Sequence, residues 1–253
     1  AIVHPKTMNT AKAWFYRGEV HLGIYGDTAW SPQFPDALDI AWESYRRCIE
    51  LDTKNEHKDD ATKKVLTIQG AIYNEGVEAF VGKKYPAALA RFEQLLSVTP
   101  NDTSVLFNAA LTAGKMDSSA KALRYWKALL DNQYNKPGVY VELARLTKLA
   151  GDTAAALQYL AQGRQAYPND IGLVIDELNI YLSQGKQEMA IEKLSKAIEL
   201  DPTNPNLYFA RGTAYDNLKK GSLSETDYLK AIEIKADYFD PYYNLGAMHF
   251  NTA

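Results

Sequence analysis

A single cysteine, Cys48, stands in this chain of 253 residues. One thiol excludes an internal disulfide framework and says little about redox compartment. Histidine is scarce as well. His4, His21, His57 and His249 are scattered, with none of the clustered Cys/His spacing a metal site needs, so no metal is expected. No apolar run approaches the ~18 residues of a membrane-spanning helix. Basic excess is missing too: 28 Lys and Arg face 31 Asp and Glu, a formal net charge of −3. Binders of nucleic acid usually carry a basic face, so nucleic acid is not an expected partner. The sequence has no GxSxG, HExxH, P-loop or GxGxxG. Acidic pairs such as Asp59–Asp60 suit the start of a helix, and no pocket is evident to raise the pKa of either. The chain is therefore not expected to be an enzyme, and no cofactor is implied.

What is present is a repeat. Gly185–Pro205 reads GKQEMAIEKLSKAIELDPTNP. Ala190, Leu194 and Ala197 share one helix face. Asp201-Pro202 ends that helix, because the residue before a proline is pushed out of the α region. Gly185 makes the turn from an earlier helix that ends near Tyr181. Stepping by 34 residues from Ile171 gives starts at Gln69, Thr103, Pro137, Ile171, Pro205 and Phe239, without a gap. Counting each start as position 1, position 20 is Ala88, Ala122, Ala156, Ala190 and Ser224, all small. Position 24 is Phe92, Trp126, Leu160, Leu194 and Tyr228, all large. Position 8 is Gly76, Ala110, Ala144, Leu178, Gly212 and Gly246. Positions 8 and 20 are expected to meet where two helices cross, with position 24 filling the space beside them.

This register resembles the tetratricopeptide repeat (TPR) family over almost the whole chain. The resemblance implies an all-α, right-handed superhelical solenoid of helix–turn–helix repeats. Departures are local: Tyr134 and Ala236 replace the terminal proline, Leu178 the small residue, and Gly163 weakens one second helix. Residues 1–10 read as the tail of a truncated repeat. Repeat one covers 11–55, with an 11-residue insert around GDTAWSPQFPD. Residues 56–68 start the next helix early, with Asp60 as its N-cap. Repeats two to six fill 69–238, and 239–253 is the first helix of a seventh. Both ends look cut inside repeats. Helices are expected at 10–25, 37–52, 60–82, 86–98, 103–115, 119–131, 138–150, 153–166, 171–184, 187–199, 205–218, 221–234 and 239–250.

In the TPR family the first helices line a concave groove, with positions 5 and 6 on its wall. Position 5 here is Phe15, Tyr73, Phe107, Val141, Ile175, Phe209 and Tyr243, always apolar or aromatic. Because it is never Lys, the clamp by which some relatives capture a C-terminal carboxylate is absent. Position 6 is Tyr16, Asn74, Asn108, Glu142, Asp176, Ala210 and Asn244, a partial ladder in which only Asn74 and Asn108 are adjacent. An Asn amide both donates and accepts, so it can grip extended backbone without reading sequence. The resemblance therefore implies a peptide site centred on Asn74 and Asn108. Its apolar floor would be Tyr73, Phe107 and Leu111, and its polar continuation Glu142, Arg145, Lys148, Asp176 and Asn179. An equally weighted reading is that the two amides only cap or solvate helix surfaces.

Three functions fit these features. The first is a non-catalytic scaffold that holds a peptide or protein segment within a larger assembly. The second is the repeat arm of a larger enzyme, and the third a structural self-association module. The opening PKTMNTAKAWFYRGEVHLGIY and its insert also resemble exported TPR proteins of Gram-negative bacteria. That likeness implies export to the periplasm with a signal upstream of Ala1, against a cytoplasmic alternative. Trp30 and Phe34 in the insert are expected to fold back onto the first helix pair, since burying a Trp removes much apolar surface from water. Exposed, they would be partner anchors.

Overall fold

The computed structural model describes residues 7–168 and 170–252. His4 and most of the expected repeat tail lie outside these residues; Thr7–Asn9 form a turn. Among the described residues every regular element is a helix and none is a strand. The thirteen expected helices are all found, each end within two residues of its expected place.

The chain divides into two compact units, Ala1–Tyr125 and Trp126–Ala253. The first holds α1 (Ala11–Gly26), a 3₁₀ turn (Ser31–Gln33), α2 (Ala37–Leu51), α3 (Lys58–Val81), α4 (Tyr85–Leu96) and α5 (Thr103–Lys115). Helix α6 (Ser119–Asp131) runs across the division. The second unit holds α7 (Pro137–Leu149), α8 (Thr153–Ala166), α9 (Ile171–Ser183), α10 (Gln187–Leu200), α11 (Pro205–Asn217), α12 (Gly221–Ile234) and α13 (Phe239–Thr252). Within each unit a helix packs on its neighbours in sequence, and α3 also touches α5 as α7 touches α9. The fold is an all-α helical repeat solenoid.

Local chemistry sets the helix ends. Asp102, Asp152, Asp170 and Asn204 each accept backbone N–H bonds at the start of the helix that follows. The turn inside each hairpin needs one left-handed residue at position 15. Lys83, Asp117, Gly151, Gly185 and Lys219 all hold φ between 53° and 85° there. Only two of the five are glycine, so the turn is imposed on the others by the packing of the helices it joins.

The crossing within each hairpin is a matter of volume. A Cβ on Gly18, Gly76 or Gly212 would lie 2.8 Å from the ring of Tyr45, Phe92 or Tyr228 respectively. Each glycine thus makes room for the aromatic at position 24 (Tyr45 being its counterpart in repeat one). Where position 24 is Leu160 or Leu194, position 8 is instead Ala144 or Leu178, and each pair shares one buried cluster. Position 20 meets position 8 directly at Ser224, whose hydroxyl donates to the Gly212 carbonyl at 2.9 Å. Gly163, read from sequence as a weak point, is buried where a Cβ would come within 3.0 Å of Tyr140 and Leu173. Its missing side chain serves packing.

Ala156 and Ala190 are fully buried in these clusters. Leucine at either site is expected to overpack its cluster and destabilise by about 1–3 kcal/mol. Thermal melting of the two variants checks this, and an unchanged transition in both would move the crossing elsewhere.

A second regularity links positions 7 and 23 of the same hairpin. Arg17 donates to Ser44 at 2.9 Å, and Glu75 pairs with Arg91 at 2.9 Å. Glu177 pairs with Lys193 at 2.8 Å, and Arg211 grips Asp227 through two bonds of 2.8 Å. The sign reverses from Glu177–Lys193 to Arg211–Asp227 at the same two positions. Glu177 and Asp227 are almost fully buried, so loss of either one's cation would leave a buried charge without its partner.

The long α3 begins at Lys58, two residues before its expected start, and Asp60 is not its cap. Asp52, at the end of α2, accepts the backbone N–H groups of Lys54, Glu56, His57 and Lys58. These bonds outweigh its burial and hold its carboxyl below the usual range, the His57 bond contributing most. Asp60 lies within the first turn and pairs with Lys63 on the surface.

Candidate peptide-binding grooves

In the first unit, α3 and the start of α5 form the walls of a cavity of about 410 Å³. Gln69, Gly70, Tyr73 and Asn74 come from α3, and Asp102, Ser104 and Val105 from the entry to α5. Leu95 and Thr99 close the end. The wall thus carries hydroxyls and amides, one carboxylate and no cation. Asn74 is exposed there. Asn108 is not part of this wall. Its amide donates to the Tyr73 hydroxyl at 2.8 Å and to the Ser104 carbonyl at 3.0 Å, so both of its hydrogens are engaged. It fixes Tyr73, whose ring meets Phe92 edge-on at 6.0 Å. Phe107 and Leu111 are half-buried and also stand outside the cavity wall.

In the second unit, α7 and α9 enclose a cavity of about 240 Å³. Val141, Ala144, Leu160 and Ile180 make an apolar floor. Arg145 and Lys148 rise from α7, Asp176 and Asn179 from α9. Four residues that the sequence groups as one polar stretch therefore converge here from two helices. Glu142 lies beside them and accepts from Arg145 at 2.8 and 3.1 Å. Burial pushes the Asp176 carboxyl above the usual range. Asp170 and Glu142 push it further, and Lys148 opposes them. A cation placed beside Asp176 would relieve that cost.

The second unit has a further cavity that groove reasoning did not address. Arg164, Lys193 and Lys196 line it with Glu192, Met189 and Leu200, in about 240 Å³ between α8 and α10. Its sequence signal is a pair of large apolar residues, Met189 and Leu200, on helix positions that packing leaves exposed.

The other singled-out residues lie elsewhere. His21 bonds the Arg17 carbonyl at 2.9 Å, His57 stacks on Phe15 at 4.7 Å, and His249 lies 3.4 Å from Glu225. Cys48 is fully buried, and burial, helped by the Asp52 charge, pushes its thiol up to about 11, far from a reactive thiolate. Trp30 and Phe34 do not fold back. They are 52% and 43% exposed, with ring centroids 6.2 Å apart. Asp27 braces this loop by accepting from the backbone N–H groups of Ala29 and Trp30.

Helix hairpins in a constant register, with polar cavities between successive first helices, define a helical-repeat interaction scaffold. Part of the chain matches models of the tetratricopeptide repeat family. Residues 179–219 match the TPR repeat model and residues 205–238 the tetratricopeptide repeat model. A stretch of 72 residues is 40% identical to RNA polymerase II-associated protein 3 of Rattus norvegicus and 38% to that of Homo sapiens. That stretch is 28% of this chain and spans 11% of those relatives. Among solved structures, MamA of Desulfovibrio magneticus is similar with a TM-score of 0.57 and 16% identity, over 68% of this chain and 97% of that one. YrrB, described as a TPR protein with an unusual peptide-binding site, has a TM-score of 0.55 and 15% identity, over 69% and 90%. At these identities the likeness concerns the fold. Proteins built on this repeat are typically non-catalytic.

Proposed function

We propose that the chain is a non-catalytic scaffold that holds an extended peptide segment against its first helices. The observation that carries this reading is the cavity between α7 and α9, where Arg145, Lys148, Asp176 and Asn179 surround an apolar floor. Such a site takes one apolar side chain and pairs charges of both signs on either side of it. Asp176 favours a Lys or Arg of the peptide, and Arg145 with Lys148 an Asp or Glu. In the first unit, Asn74 offers the free amide for peptide backbone, and Asn108 acts by positioning Tyr73.

Selection of displayed random peptides on the immobilised chain tests this. Peptides with an apolar residue flanked by opposite charges should be enriched. Arg145→Ala with Asp176→Ala should melt like the parent and lose those peptides by tenfold or more. Acidification should also release them, since the basic side chain is bound only while Asp176 is ionised. Equal retention by the folded double variant would remove the site from this cavity.

A further inference from the structure

The cavity between α8 and α10 carries charge mostly of one sign. Arg164, Lys193 and Lys196 stand on its wall, with Glu192 as the one carboxylate among the lining residues. Glu177, almost fully buried, serves two of these cations: one of its carboxylate oxygens accepts from Arg164 and the other from Lys193. Lys196 pairs with Glu192 at the exposed rim. Three cations thus share two carboxylates. One positive charge is left in excess, on a chain whose net charge is −3. Arg164 is also short of acceptors. Its Nη1 meets Glu177, and its Nε is enclosed with no hydrogen-bond partner among the described residues. A buried donor without an acceptor is costly, and a guanidinium is the cation whose planar fork best fits a carboxylate.

Two large apolar side chains flank the charges. Met189 is 46% exposed and Leu200 71%. Residues 189, 193, 196 and 200 follow steps of four, three and four along α10, so they share one face. That face reads apolar, basic, basic, apolar. Its two ends are eleven residues apart, roughly 16 Å along the helix axis. About five residues of extended chain span a similar length at ~3.3 Å each, and their alternate side chains point the same way. The complementary ligand therefore carries apolar, acidic and apolar side chains at its first, third and fifth positions.

We propose that this cavity is a second peptide site, and that its ligand is an extended acidic segment of that pattern. The ligand carboxylate takes up the excess charge of Arg164 and Lys196, and its apolar side chains cover Met189 and Leu200. An exposed pair such as Lys196–Glu192 contributes little, so turning Lys196 to the ligand costs little. The pattern is the inverse of the one for the cavity between α7 and α9, where charges of both signs surround one apolar side chain. The two walls have no residue in common.

The test uses end-capped Leu-Ser-Glu-Ser-Leu and the same peptide with Gln in place of Glu. Each is titrated into the whole chain carrying carbon-13 in its methionine methyl groups. Met189 is one of four methionines and stands in the cavity wall, so its signal reports the site. At millimolar concentration the Glu peptide should move the Met189 signal and leave those of Met8 and Met116 in place. It should bind about tenfold more tightly than the Gln peptide, because a charge-assisted contact is lost with the charge. Lys196→Glu and, separately, Leu200→Ser change exposed side chains, so both variants should melt close to the parent. Lys196→Glu should weaken the Glu peptide about tenfold or more, and Leu200→Ser about fivefold. Equal affinity for the two peptides overturns the proposal. So does a Met189 signal that stays in place, or binding that Lys196→Glu leaves intact. Inorganic phosphate that moves the Met189 signal at the same concentration also overturns it, since a bare anion would then suffice.

Discussion

Asp227→Ala is expected to destabilise the chain by about 3 kcal/mol, the lower end of the cost of leaving one partner of a buried ion pair alone. The loss is large because Asp227 is 3% exposed and holds Arg211 through two bonds of 2.8 Å. With the carboxylate gone, the guanidinium keeps only the Ser195 hydroxyl at 3.0 Å and the face of Tyr208. Arg211→Glu alone should cost at least as much, since it sets two carboxylates against each other. The double exchange Arg211→Glu with Asp227→Arg should recover most of the loss, because it recreates the Glu75–Arg91 arrangement at the same positions. Urea unfolding of the parent, both single variants and the double variant measures this coupling. Additive losses would mean that the two side chains act separately.

Acid should weaken the related contact at Glu177. Burial raises its pKa, but the hydrogen bonds and charges of Lys193 and Arg164 outweigh that and leave it below its ordinary value of 4.5. A lowered folded-state pKa means that the contribution is complete above the ordinary value. It is lost as pH falls through the lowered one.

Phe92→Ala should cost about 3–5 kcal/mol, as the ring is fully buried against Gly76. The more discriminating result concerns the glycine. In an isolated helix Gly76→Ala would stabilise by up to about 1 kcal/mol. Here its Cβ would lie 2.8 Å from the Phe92 ring, so the substitution is expected to destabilise by about 1–2 kcal/mol net. Gly76→Ala combined with Phe92→Leu reproduces the volumes of Ala144 and Leu160. It should be more stable than the sum of the two single variants predicts. Chemical denaturation of the set checks it, and a stabilising Gly76→Ala would mean that the ring has room to move.

The helices and their ends were legible in the sequence because their causes are local. Asp201-Pro202 stops a helix by sterics, Asp102 and Asp170 cap the helices that follow, and the small residue at position 20 recurs every 34 residues. The inner-wall residues Arg145, Lys148, Asp176 and Asn179 could be grouped from the same period. Other features depend on which surfaces come together in three dimensions. Positions 7 and 23 lie 16 residues apart on different helices, and their charge reverses between hairpins, so no helical period reveals the pair. Asn108 looked free to grip a ligand, but it reaches across to Tyr73, a residue of the preceding repeat. Trp30 and Phe34 were expected inside because hydrophobicity favours burial; they stand exposed on a loop that Asp27 braces. A hydrophobic pattern tells which residues gain from burial. Whether a neighbouring surface is there to bury them, as it is for Phe92 and not for Trp30, is decided only by the tertiary arrangement.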